Sequence, residues 1–308
     1  MEWQRLETDQ YVNLDKTLYS GQIFSFQKTG ENEDTGMVEG FLTTFKQDGD
    51  HIYYKIFNYK ESVDYQTIFS RFFTLDLNYK KITKEWNDKL LKCENEVYDE
   101  NRLNNGLCTL RPFKETGLRL LRCDLKETIF SFICSANNNI KRITKMVLVL
   151  FSLGKYITTI NDKNFYEFPD PDQLCDKELF LRESGFGYRA SYIVKTAQQM
   201  KMLKYSQLYN LDYQHAFEML NEYNGISYKV ADCVCLLGLH FHSVVPIDTH
   251  IFKVASRIFS IKQTKLNKRT YVNIRRQFQE FFGQYSGLAQ LFLFEESIRT
   301  RKKNSSKM

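Results

Sequence analysis

The chain has 308 residues, of which 43% are hydrophobic and 26% are charged, and its formal net charge at pH 7 is +6. At roughly 150 residues per domain this length allows about two domains with a sizeable core, and no segment reaches the roughly 18 uncharged apolar residues that a membrane span needs. Composition and charge therefore predict a soluble globular protein and exclude a membrane-spanning one.

The seven cysteines do not form the pattern of a disulfide framework or of a metal site. Their number is odd, they are scattered, and the closest pair, Cys233 and Cys235, is spaced CVC, whereas zinc ribbons and iron–sulfur clusters use CxxC pairs. The N-terminal segment MEWQRLETDQ has the features of neither a secretory signal nor a transit peptide. We therefore expect a reducing compartment inside the cell, with no metal and no cofactor.

The first third of the chain has the pattern of an antiparallel sheet. Apolar and polar residues alternate in the segments GQIFSFQ, MVEGFLTTFKQ and HIYYKIFNY, and this period of two is typical of half-buried strands. Asp48 and Gly49 supply a hairpin turn between the last two segments. The segment DYQTIFSRFFTLD predicts a helix beside the sheet.

Helical spacing replaces this alternation after about Pro112. Apolar residues recur at i, i+3 and i+4 in the segments KETIFSFICSA, IKRITKMVLVLFSLG, HAFEMLNEY and THIFKVASRIFSI. The chain therefore predicts an α+β fold, in which an N-terminal antiparallel sheet domain at residues 1–112 packs on an all-helical domain at 113–298. We expect the basic tail at 299–308 to be disordered.

A stretch of positive charge lies near the end of the chain. From Thr249 to Gln279 there is no Asp or Glu, and there are eight basic side chains: Lys253, Arg257, Lys262, Lys265, Lys268, Arg269, Arg275 and Arg276. Such a stretch indicates a polyanion binder, and a solvated helix face is the alternative. The tail RTRKKNSSKM is a second basic cluster, for which a nuclear address and a merely disordered basic segment are the alternatives. We expect the protein in the nucleus.

The segment from Asp212 to Leu239 predicts two helices joined by a tight turn. DYQHAFEMLNEY and YKVADCVCLLGL have helical spacing, and between them Asn224 and Gly225 can take left-handed dihedrals. Backbone amides at the start of the second helix can bind a phosphate without any side chain. This is the pattern of a DNA-binding helix-hairpin-helix element, although any short antiparallel helix pair shares it.

Lys229 lies in the first turn of that second helix, beside an apolar wall. The helix dipole and partial burial both oppose a positive charge there, so they favour the neutral amine, which is a nucleophile. The alternative is that Lys229 reaches solvent or contacts a DNA phosphate.

Asp248 precedes an amphipathic helix in the segment SVVPIDTHIFKVASRIF and is predicted to cap it. Amide donors at a helix start keep a carboxylate ionised and fixed. Cleavage of an N-glycosidic bond needs a rigid anion and a neutral amine. The anion stabilises the positive charge that the departing base leaves on the sugar, and the amine adds to the anomeric carbon to give a Schiff base.

These residues resemble the eukaryotic type of 8-oxoguanine DNA glycosylase/AP lyase, in the helix-hairpin-helix DNA glycosylase superfamily. The resemblance runs in order from about Gly21 to Ile298 through SGQIFSF, FSFICSANNNIKRIT, GFGYRASY, YKVADCVCL, VPIDTH and YSGLAQLFLF. It implies a monomeric base-excision-repair enzyme that acts on double-stranded DNA and excises 8-oxoguanine opposite cytosine. It also implies β-elimination that cleaves the strand 3′ of the abasic site.

The resemblance implies a role for each matching position in the lesion pocket. Lys229 is the Schiff-base lysine and Asp248 the catalytic aspartate, while Cys233 and Phe294 lie on the two faces of the extruded base and Gln290 reads its Watson–Crick edge. Gly21 reads the lesion through its carbonyl, because N7 of guanine is an acceptor and oxidation turns it into a donor. A buried polar group left unpaired costs roughly 1–3 kcal/mol, so one such contact can discriminate.

A second set of positions contacts the rest of the DNA. The resemblance implies that Asn137, Arg142 and Arg189 surround the cytosine left behind, and that Tyr188 is the wedge pushed into the base stack. Gly225 and His250 lie at the DNA backbone.

The chain departs from the family pattern at several positions. The family has a glycine where this chain has Ser227, a proline at Asn224, an arginine at Ser25, and tryptophans at Phe26 and Leu288. If the backbone at position 227 needs a positive φ, a serine strains the hairpin and its contact to phosphate.

Two other functions remain open. A glycosylase for another damaged base is one, but such relatives commonly carry a four-cysteine cluster near the C-terminus and this chain has no cysteine after Cys235. A catalytically silent DNA-binding module is the other, although phosphate binding alone needs neither Lys229 nor Asp248. A protein-only scaffold is the weakest reading because of the acid-free basic stretch.

Overall fold

The computed structural model describes residues 2–96, 113–202, 205–259 and 261–305. The strands within these ranges are β1 (Gln4–Arg5), β2 (Gln27–Gly30), β3 (Glu33–Val38), β4 (Phe41–Asp48), β5 (His51–Ile56), β6 (Tyr156–Ile160) and β7 (Lys163–Tyr166). The α-helices are α1 (Leu14–Leu18), α2 (Tyr65–Phe72), α3 (Tyr79–Glu96), α4 (Leu125–Cys134), α5 (Ile140–Phe151), α6 (Pro171–Leu174), α7 (Glu178–Glu183), α8 (Arg189–Met202), α9 (Tyr213–Asn221), α10 (Tyr228–Leu237), α11 (Thr249–Ile258), α12 (Lys268–Phe282) and α13 (Ser286–Ser305). None of the described helices is long and apolar enough to cross a membrane.

The first five strands form one antiparallel sheet in the order β1-β5-β4-β3-β2. The predicted hairpin joins β4 to β5, with Asp48 opposite His51 and Gly49 at φ +56°. A positive φ is available to glycine without steric cost, which is why the turn forms here. The predicted helix beside the sheet is α2, and its first turn is capped by the Asp64 side chain, which accepts from the amide of Thr67 at 3.1 Å.

Phenylalanines fill the space between the sheet and α2. Phe45 of β4 is fully buried, and its ring centroid lies 5.0 Å from that of Phe69 and 5.1 Å from that of Phe73. Both contacts are edge-to-face, an arrangement that aromatic pairs prefer. The alternating pattern of the strands therefore buries one face of the sheet under this helix.

By packing, the described chain divides into two compact units. Unit 1 comprises residues 1–76 and 117–240, and unit 2 comprises residues 77–116 and 241–308. The predicted domain boundary at residue 112 lies outside the described residues. The division into domains at 1–112 and 113–298 stays a prediction.

Within unit 1 the sheet and the helices are packed together. The amide of Arg122 donates to the carbonyl of Phe72 at 3.0 Å, and the amide of Cys123 donates to the carbonyl of Leu237 at 2.8 Å. The segment before α4 therefore bonds to the end of α2 on one side and to the end of α10 on the other. The α+β class is confirmed: an antiparallel sheet is followed by a mostly helical part.

The helical part contains one hairpin that we did not expect. Strands β6 and β7 pair antiparallel around Asn161 and Asp162, whose φ angles are +44° and +62°. Positive φ at both central residues is the requirement of a type I′ turn, and Asn and Asp tolerate it better than most residues. The alternation in YITTINDKNFY carries this signal locally.

Unit 2 is built from α3, α11, α12 and α13 around aromatic side chains. The ring centroid of Trp86 lies 5.0 Å from that of Phe113 and 5.5 Å from that of Phe282. The indole N–H donates to the carbonyl of Phe282 at 3.2 Å, which satisfies the one polar group of this buried tryptophan.

The described part of the basic tail is helical in this structure, and the disorder expected for residues 299–308 stays a prediction. Helix α13 continues through Ser305, and residues 306–308 lie outside the described residues. Extending an established helix adds one hydrogen bond per residue without a new nucleus, and Arg and Lys are good helix formers. The basic composition of the tail is therefore compatible with helix.

Candidate active site

The turn between α9 and α10 has the predicted hairpin geometry, and Ser227 fits it. Ser227 is the N-cap of α10, with φ −82° and ψ 170°, and its hydroxyl accepts from the amide of Val230. The φ of this residue is negative, so a serine is not strained. Gly225 is the residue with a positive φ, at +82°. The departure from glycine at position 227 therefore does not distort the hairpin.

Side chains of α8 hold the hairpin in place. Thr196 donates to the carbonyl of Asn224 at 2.7 Å, and the side-chain oxygen of Gln199 accepts from the backbone amide of Asn224 at 2.9 Å. A Cβ on Gly225 would lie 2.5 Å from the Cβ of Tyr192, so the turn approaches α8 too closely for any other residue. Two hydrogen bonds and one close contact therefore fix the start of α10.

Lys229 is half-buried, and its side chain reaches the C-terminal end of α4. Its Nζ donates to Oγ of Ser135 at 3.2 Å and lies 4.8 Å from the ring centroid of Phe132. Ser135 is the C-cap of α4. These contacts hold the amine at a defined place, and sequence reasoning assigned a role to neither partner.

The predicted lesion-reading glycine, Gly21, lies in the loop between α1 and β2. Its φ is +87°, and an added Cβ would lie 3.3 Å from the side chain of Ile140. The next residue, Gln22, is buried and ties the loop to a neighbouring segment. Its amide nitrogen donates to the carbonyl of Arg119 and its oxygen accepts from the amide of Leu121, both at 2.9 Å. The backbone of the loop is therefore held by a glutamine whose role the sequence did not reveal.

The same loop packs on α4, the helix whose Phe132 ring lies beside the amine of Lys229. The ring of Phe24 meets that of Phe132 edge-on at 5.8 Å, and Phe132 is the residue beneath the amine of Lys229. The lesion-reading loop and the lysine therefore share one aromatic neighbour in unit 1.

A buried acid, Glu127, lies on α4 five residues before Phe132. Burial raises the pKa of Glu127 to about 8, while the hydroxyl of Ser25 opposes the shift and the charge of Asp124 adds to it. At neutral pH this carboxyl is therefore mainly protonated.

The three residues predicted around the opposite cytosine, Asn137, Arg142 and Arg189, lie near the α4–α5 turn together with the predicted wedge, Tyr188. The hydroxyl of Tyr188 donates to the carbonyl of Ala136 at 3.2 Å, and Arg189 donates to the carbonyl of Asn137 at 3.1 Å. Arg142 is exposed and donates to the carbonyl of Gly185 at 2.9 Å. Asn137 has a φ of +47°, which asparagine tolerates.

The environments of these four residues differ. Arg189 is only 3% exposed and directs its guanidinium to backbone carbonyls, so in this structure it holds the turn that carries Asn137. Tyr188 is 48% exposed, with its ring 4.6 Å from the guanidinium carbon of Arg189. The Tyr188 ring therefore packs on the Arg189 guanidinium and remains accessible to solvent.

Cys233 lies one turn after Lys229 on α10 and is 5% exposed. Its neighbour Asp232 is fully buried and accepts from the hydroxyl of Tyr213 at 2.8 Å, which ties α9 to α10. The helix that carries both Lys229 and Cys233 is thus tied to α9 at the residue next to Cys233.

Unit 2 contains the remaining predicted residues, beginning with Asp248. Asp248 is the predicted N-cap of α11, and its Oδ1 accepts from the amides of His250 and Ile251, both at 2.8 Å. Both bonds fall on the same oxygen. Within the described residues Oδ2 accepts no hydrogen bond, so capping leaves one carboxylate oxygen for another role.

His250 and Phe294 meet in unit 2. Their ring centroids are 5.8 Å apart at an interplanar angle of 76°, and Phe294 is half-buried. Gln290 lies four residues earlier on α13, so it shares a helix face with Phe294. This unit therefore contains the carboxylate, the histidine and two of the predicted base-binding side chains, Gln290 and Phe294.

The candidate site is thus seen as two sets of residues, one in each unit. Unit 1 holds the amine, the lesion-reading loop, the hairpin and the residues predicted around the cytosine. The described residues contain no group of three His, Cys, Asp or Glu side chains that could hold a metal ion.

Family models match almost the whole chain. One described as 8-oxoguanine DNA glycosylase, N-terminal domain, matches residues 5–129. Another described as HhH-GPD superfamily base excision DNA repair protein matches residues 130–283.

Individual relatives agree with these models. The N-glycosylase/DNA lyase of Saccharomyces cerevisiae is 40% identical over 215 residues, which are 59% of this chain and 57% of that protein. The chain thus spans less than two thirds of the yeast relative. The N-glycosylase/DNA lyase OGG1 of Arabidopsis thaliana is 28% identical over 302 residues, which are 94% of this chain and 79% of that protein.

A solved structure extends the likeness to the fold. The structure of MBOgg1 in complex with a low affinity DNA ligand has a TM-score of 0.79 and 25% sequence identity, and the match covers 97% of this chain and 99% of that one. The chain therefore belongs to the HhH-GPD superfamily of base excision DNA repair proteins and carries the N-terminal domain of 8-oxoguanine DNA glycosylases.

Proposed function

We propose that this chain is a bifunctional DNA glycosylase and AP lyase that excises 8-oxoguanine opposite cytosine from double-stranded DNA. The observation that carries the proposal is the placement of Lys229. Lys229 lies on the second helix of the hairpin, and its amine contacts Ser135 and Phe132. Phe132 also contacts Phe24 of the loop that carries Gly21. Membership of the family and the names of the relatives support the same activity.

In this mechanism the lysine replaces the base. The bond from C1′ to the base breaks, its electron pair leaves with the base, and the base takes up a proton. The positive charge that develops on the sugar is stabilised by the carboxylate of Asp248. The amine of Lys229 forms a bond to C1′ through its lone pair and loses one proton. The C1′–O4′ bond then breaks, O4′ takes up a proton from solvent, and the nitrogen lone pair completes a protonated Schiff base.

The Schiff base then leads to strand cleavage. Loss of a proton from C2′ supplies the electron pair for a new double bond, and the C3′–O bond breaks with the 3′ phosphate as leaving group. Water hydrolyses the remaining imine and frees the amine. No metal and no cofactor is needed for these steps.

Lesion selectivity follows from the backbone of Gly21. Its carbonyl is an acceptor, which suits the N7–H of 8-oxoguanine and repels the N7 lone pair of guanine. Cys233, Gln290 and Phe294 complete the proposed contacts to the base. The amides beside Gly225 and the His250 side chain are assigned to the DNA backbone.

The opposite cytosine is assigned to the α4–α5 turn. Asn137 and Arg142 supply hydrogen bonds to the cytosine, and the exposed ring of Tyr188 is the wedge that enters the stack. Arg189 contributes chiefly by holding the turn, because its guanidinium is buried against backbone carbonyls. Filling the space left by the flipped base offsets a few kcal/mol of unstacking.

Borohydride trapping tests the proposal directly. A duplex with 8-oxoguanine opposite cytosine is incubated with the protein, and reduction of the Schiff base gives a covalent adduct. We expect Lys229→Gln to abolish the adduct, while Lys195→Gln, which changes an exposed lysine of α8, leaves it unchanged. An undiminished adduct in Lys229→Gln would remove this lysine from its role.

The same assay separates the two other functions. Excision from a duplex with thymine glycol and not from one with 8-oxoguanine would indicate a glycosylase for another base. Tight binding without base release would indicate a silent DNA-binding module. Retention of Lys229 together with Asp248 favours the enzyme over that module.

Two further properties stay predictions. A monomer in solution is tested by light scattering of the purified protein. Nuclear localisation is tested by fusing residues 299–308 to a fluorescent protein, and an even distribution of the fusion through the cell would refute the signal.

A further inference from the structure

A buried carboxylate, Asp34, lies on β3 and takes no part in the proposed mechanism. Asp34 is only 1% exposed, and in the sheet it stands directly opposite Lys28 of β2. Taking a carboxylate out of water is costly unless hydrogen-bond donors replace the water. The donors of Asp34 come from the two ends of one loop, the loop that carries Gly21.

The first donor is Tyr19, at the start of this loop. Tyr19 is the C-cap of α1, and its hydroxyl donates to Oδ1 of Asp34 at 2.6 Å, a distance typical of a hydrogen bond to a charged oxygen. Burial raises the pKa of the Tyr19 hydroxyl, and the carboxylate of Asp34 raises it further, so the hydroxyl stays a donor. The chain is therefore tied to β3 two residues before Gly21.

The second donor is Lys28, just after the loop ends. Its Nζ lies 3.1 Å from Oδ1 and 3.2 Å from Oδ2 of Asp34. The same Nζ lies 5.2 Å from the ring centroid of Tyr19. Unlike charges that face each other across an antiparallel pair stabilise it. Lys28 therefore meets both Asp34 and Tyr19, and the two ends of the loop converge on one carboxylate.

The strand that carries Lys28 is also held from its other edge. The side-chain amide of Asn161 donates to the carbonyl of Thr29, and Nζ of Lys163 donates to the carbonyl of Lys28. Both donors belong to the hairpin of β6 and β7. Strand β2 is therefore fixed between β3 and this hairpin, so the loop ends on a strand that is itself held in place.

The placement of Gly21 between the two ties gives them a consequence for recognition. The proposed function assigns the Gly21 carbonyl to a single hydrogen bond that distinguishes 8-oxoguanine from guanine. Such a contact discriminates only when the acceptor is held in the right place, because a misplacement of about 1 Å can remove most of its effect. Fixing both ends of the loop limits how far its middle can move.

We propose that Asp34 is a positioning residue for lesion recognition, which sets the place of the Gly21 carbonyl by holding Tyr19 and Lys28 at the two ends of the loop. This inference rests on the proposed function for the role of Gly21. Asp34 acts on the reading of the base and not on the amine of Lys229.

Two variants remove the tie in different ways. Asp34→Asn keeps the size of the side chain but removes its charge and sets an NH₂ group where one oxygen now accepts from Lys28. Tyr19→Phe removes only the hydroxyl. The Tyr19 side chain is 38% exposed, so the fold should tolerate this loss, and Tyr19→Phe decides the matter if Asp34→Asn does not fold.

Asp15→Asn is the matched control. Its carboxylate also contacts Nζ of Lys28, at 2.5 Å, so this variant removes one negative charge beside the same amine. The Asp15 side chain is 72% exposed, however, and an exposed ion pair contributes little to stability.

The first measurement compares two reactions in single turnover at saturating protein. One is excision of 8-oxoguanine opposite cytosine, and the other is cleavage of a duplex that already contains an abasic site. Asp34→Asn and Tyr19→Phe should each lower excision roughly tenfold, the effect of losing a hydrogen bond to a charged group. Both should leave abasic-site cleavage near the wild-type rate, and Asp15→Asn should change neither reaction.

The second measurement is hydrogen exchange of the backbone amides of residues 21–26, which reports on the loop without reference to activity. These amides should exchange roughly tenfold faster in Asp34→Asn and Tyr19→Phe than in the wild type, because the tie that opposes local opening is lost. The amides of α10 should keep their rates, which checks that the fold is unchanged.

Three results would overturn the proposal. One is unchanged exchange of the loop amides in both variants. The second is an equal fall of excision and abasic-site cleavage, which would indicate a general loss of stability. The third is an effect of the same size in Asp15→Asn, which would indicate surface charge alone. A wild-type protein that excises no 8-oxoguanine, while the loop amides respond as expected, would refute the proposed function and leave the hold of Asp34 on the loop standing.

Discussion

The Nζ of Lys229 donates a hydrogen bond to Oγ of Ser135 at 3.2 Å, across 94 positions of sequence. Ser135 donates its own hydroxyl hydrogen to the carbonyl of Phe132 at 2.7 Å. The hydroxyl is therefore committed as a donor to the backbone and can only accept from the amine. The two hydrogen bonds therefore fix the distance and the direction of the Lys229 amine relative to Ser135.

Removing the hydroxyl should slow formation of the Schiff base. Ser135→Ala leaves the amine without its acceptor, and a hydrogen bond worth about 1.5 kcal/mol corresponds to roughly a tenfold loss of rate. The rate is measured by single-turnover borohydride trapping at saturating protein. Ser135→Thr keeps the hydroxyl and should retain most of the rate, with the affinity for DNA unchanged in both. Equal rates in wild type and Ser135→Ala would show that Ser135 does not position the amine.

Gln22 should govern lesion excision more than strand cleavage. Gln22→Glu keeps the size of the side chain but sets a carboxylate oxygen against the carbonyl of Arg119, where the amide nitrogen now donates at 2.9 Å. We expect the loop that carries Gly21 to shift and excision of 8-oxoguanine to fall roughly tenfold.

The matched measurement is cleavage of a duplex that already contains an abasic site. This reaction needs Lys229 but no base to be read, so Gln22→Glu should leave it near the wild-type rate. If both reactions fall by the same factor, the role of Gln22 is general stability of the fold and not positioning of the lesion-reading loop.

The helix-capping role of Asp248 should be separable from the role of its negative charge. Asparagine caps helices about as well as aspartate, so Asp248→Asn should change the free energy of unfolding by no more than about 0.5 kcal/mol. It removes the negative charge, and losing one preorganised electrostatic contact of this kind costs roughly 100-fold in rate. Urea unfolding and single-turnover excision test the two halves of this prediction. Unimpaired excision in the variant would assign Asp248 to capping alone.

The buried Glu127 should make stability depend on pH. Burial raises its pKa from 4.5 to about 8 in the folded state, so the folded state holds a proton that the unfolded chain releases at lower pH. This contribution to stability is complete below pH 4.5 and is lost as pH rises through about 8. The wild type should therefore lose stability relative to Glu127→Gln across this window.

Urea unfolding of both proteins at about pH 5 and about pH 8 measures the effect. The difference in free energy of unfolding between variant and wild type should grow with pH by a few kcal/mol, because one pKa unit corresponds to about 1.4 kcal/mol. A difference independent of pH would mean that Glu127 is already ionised in the folded protein at low pH.

Local sequence signals were sufficient for the elements that carry the site. Asp248 ahead of an amphipathic pattern predicted the start of α11, and Gly225 between two helical patterns predicted the hairpin. The turn at Asp48 and Gly49 was equally readable. In each case the physical requirement is local: a side-chain acceptor for free amides, or a residue that tolerates a positive φ.

The segment that forms β6 and β7 shows where prediction of elements from local sequence patterns fails. Its turn residues, Asn161 and Asp162, were visible, but a short strand pair inside a helical region was outweighed by the pattern around it. At Ser227 the local pattern left open whether a serine strains the hairpin where the family has a glycine. The structure answers this, because the φ of Ser227 is −82° and the residue is the N-cap of α10.

The sequence by itself determined which residues could do chemistry and where the helices that present them begin, because these depend on neighbours within a few positions. Only the tertiary structure decided what surrounds those residues. Ser135 meets Lys229 from 94 positions away, and Gln22 reaches Arg119 from 97. Contacts at such separations are set by how the helices and the loop pack, and periodicity along the chain carries no record of them.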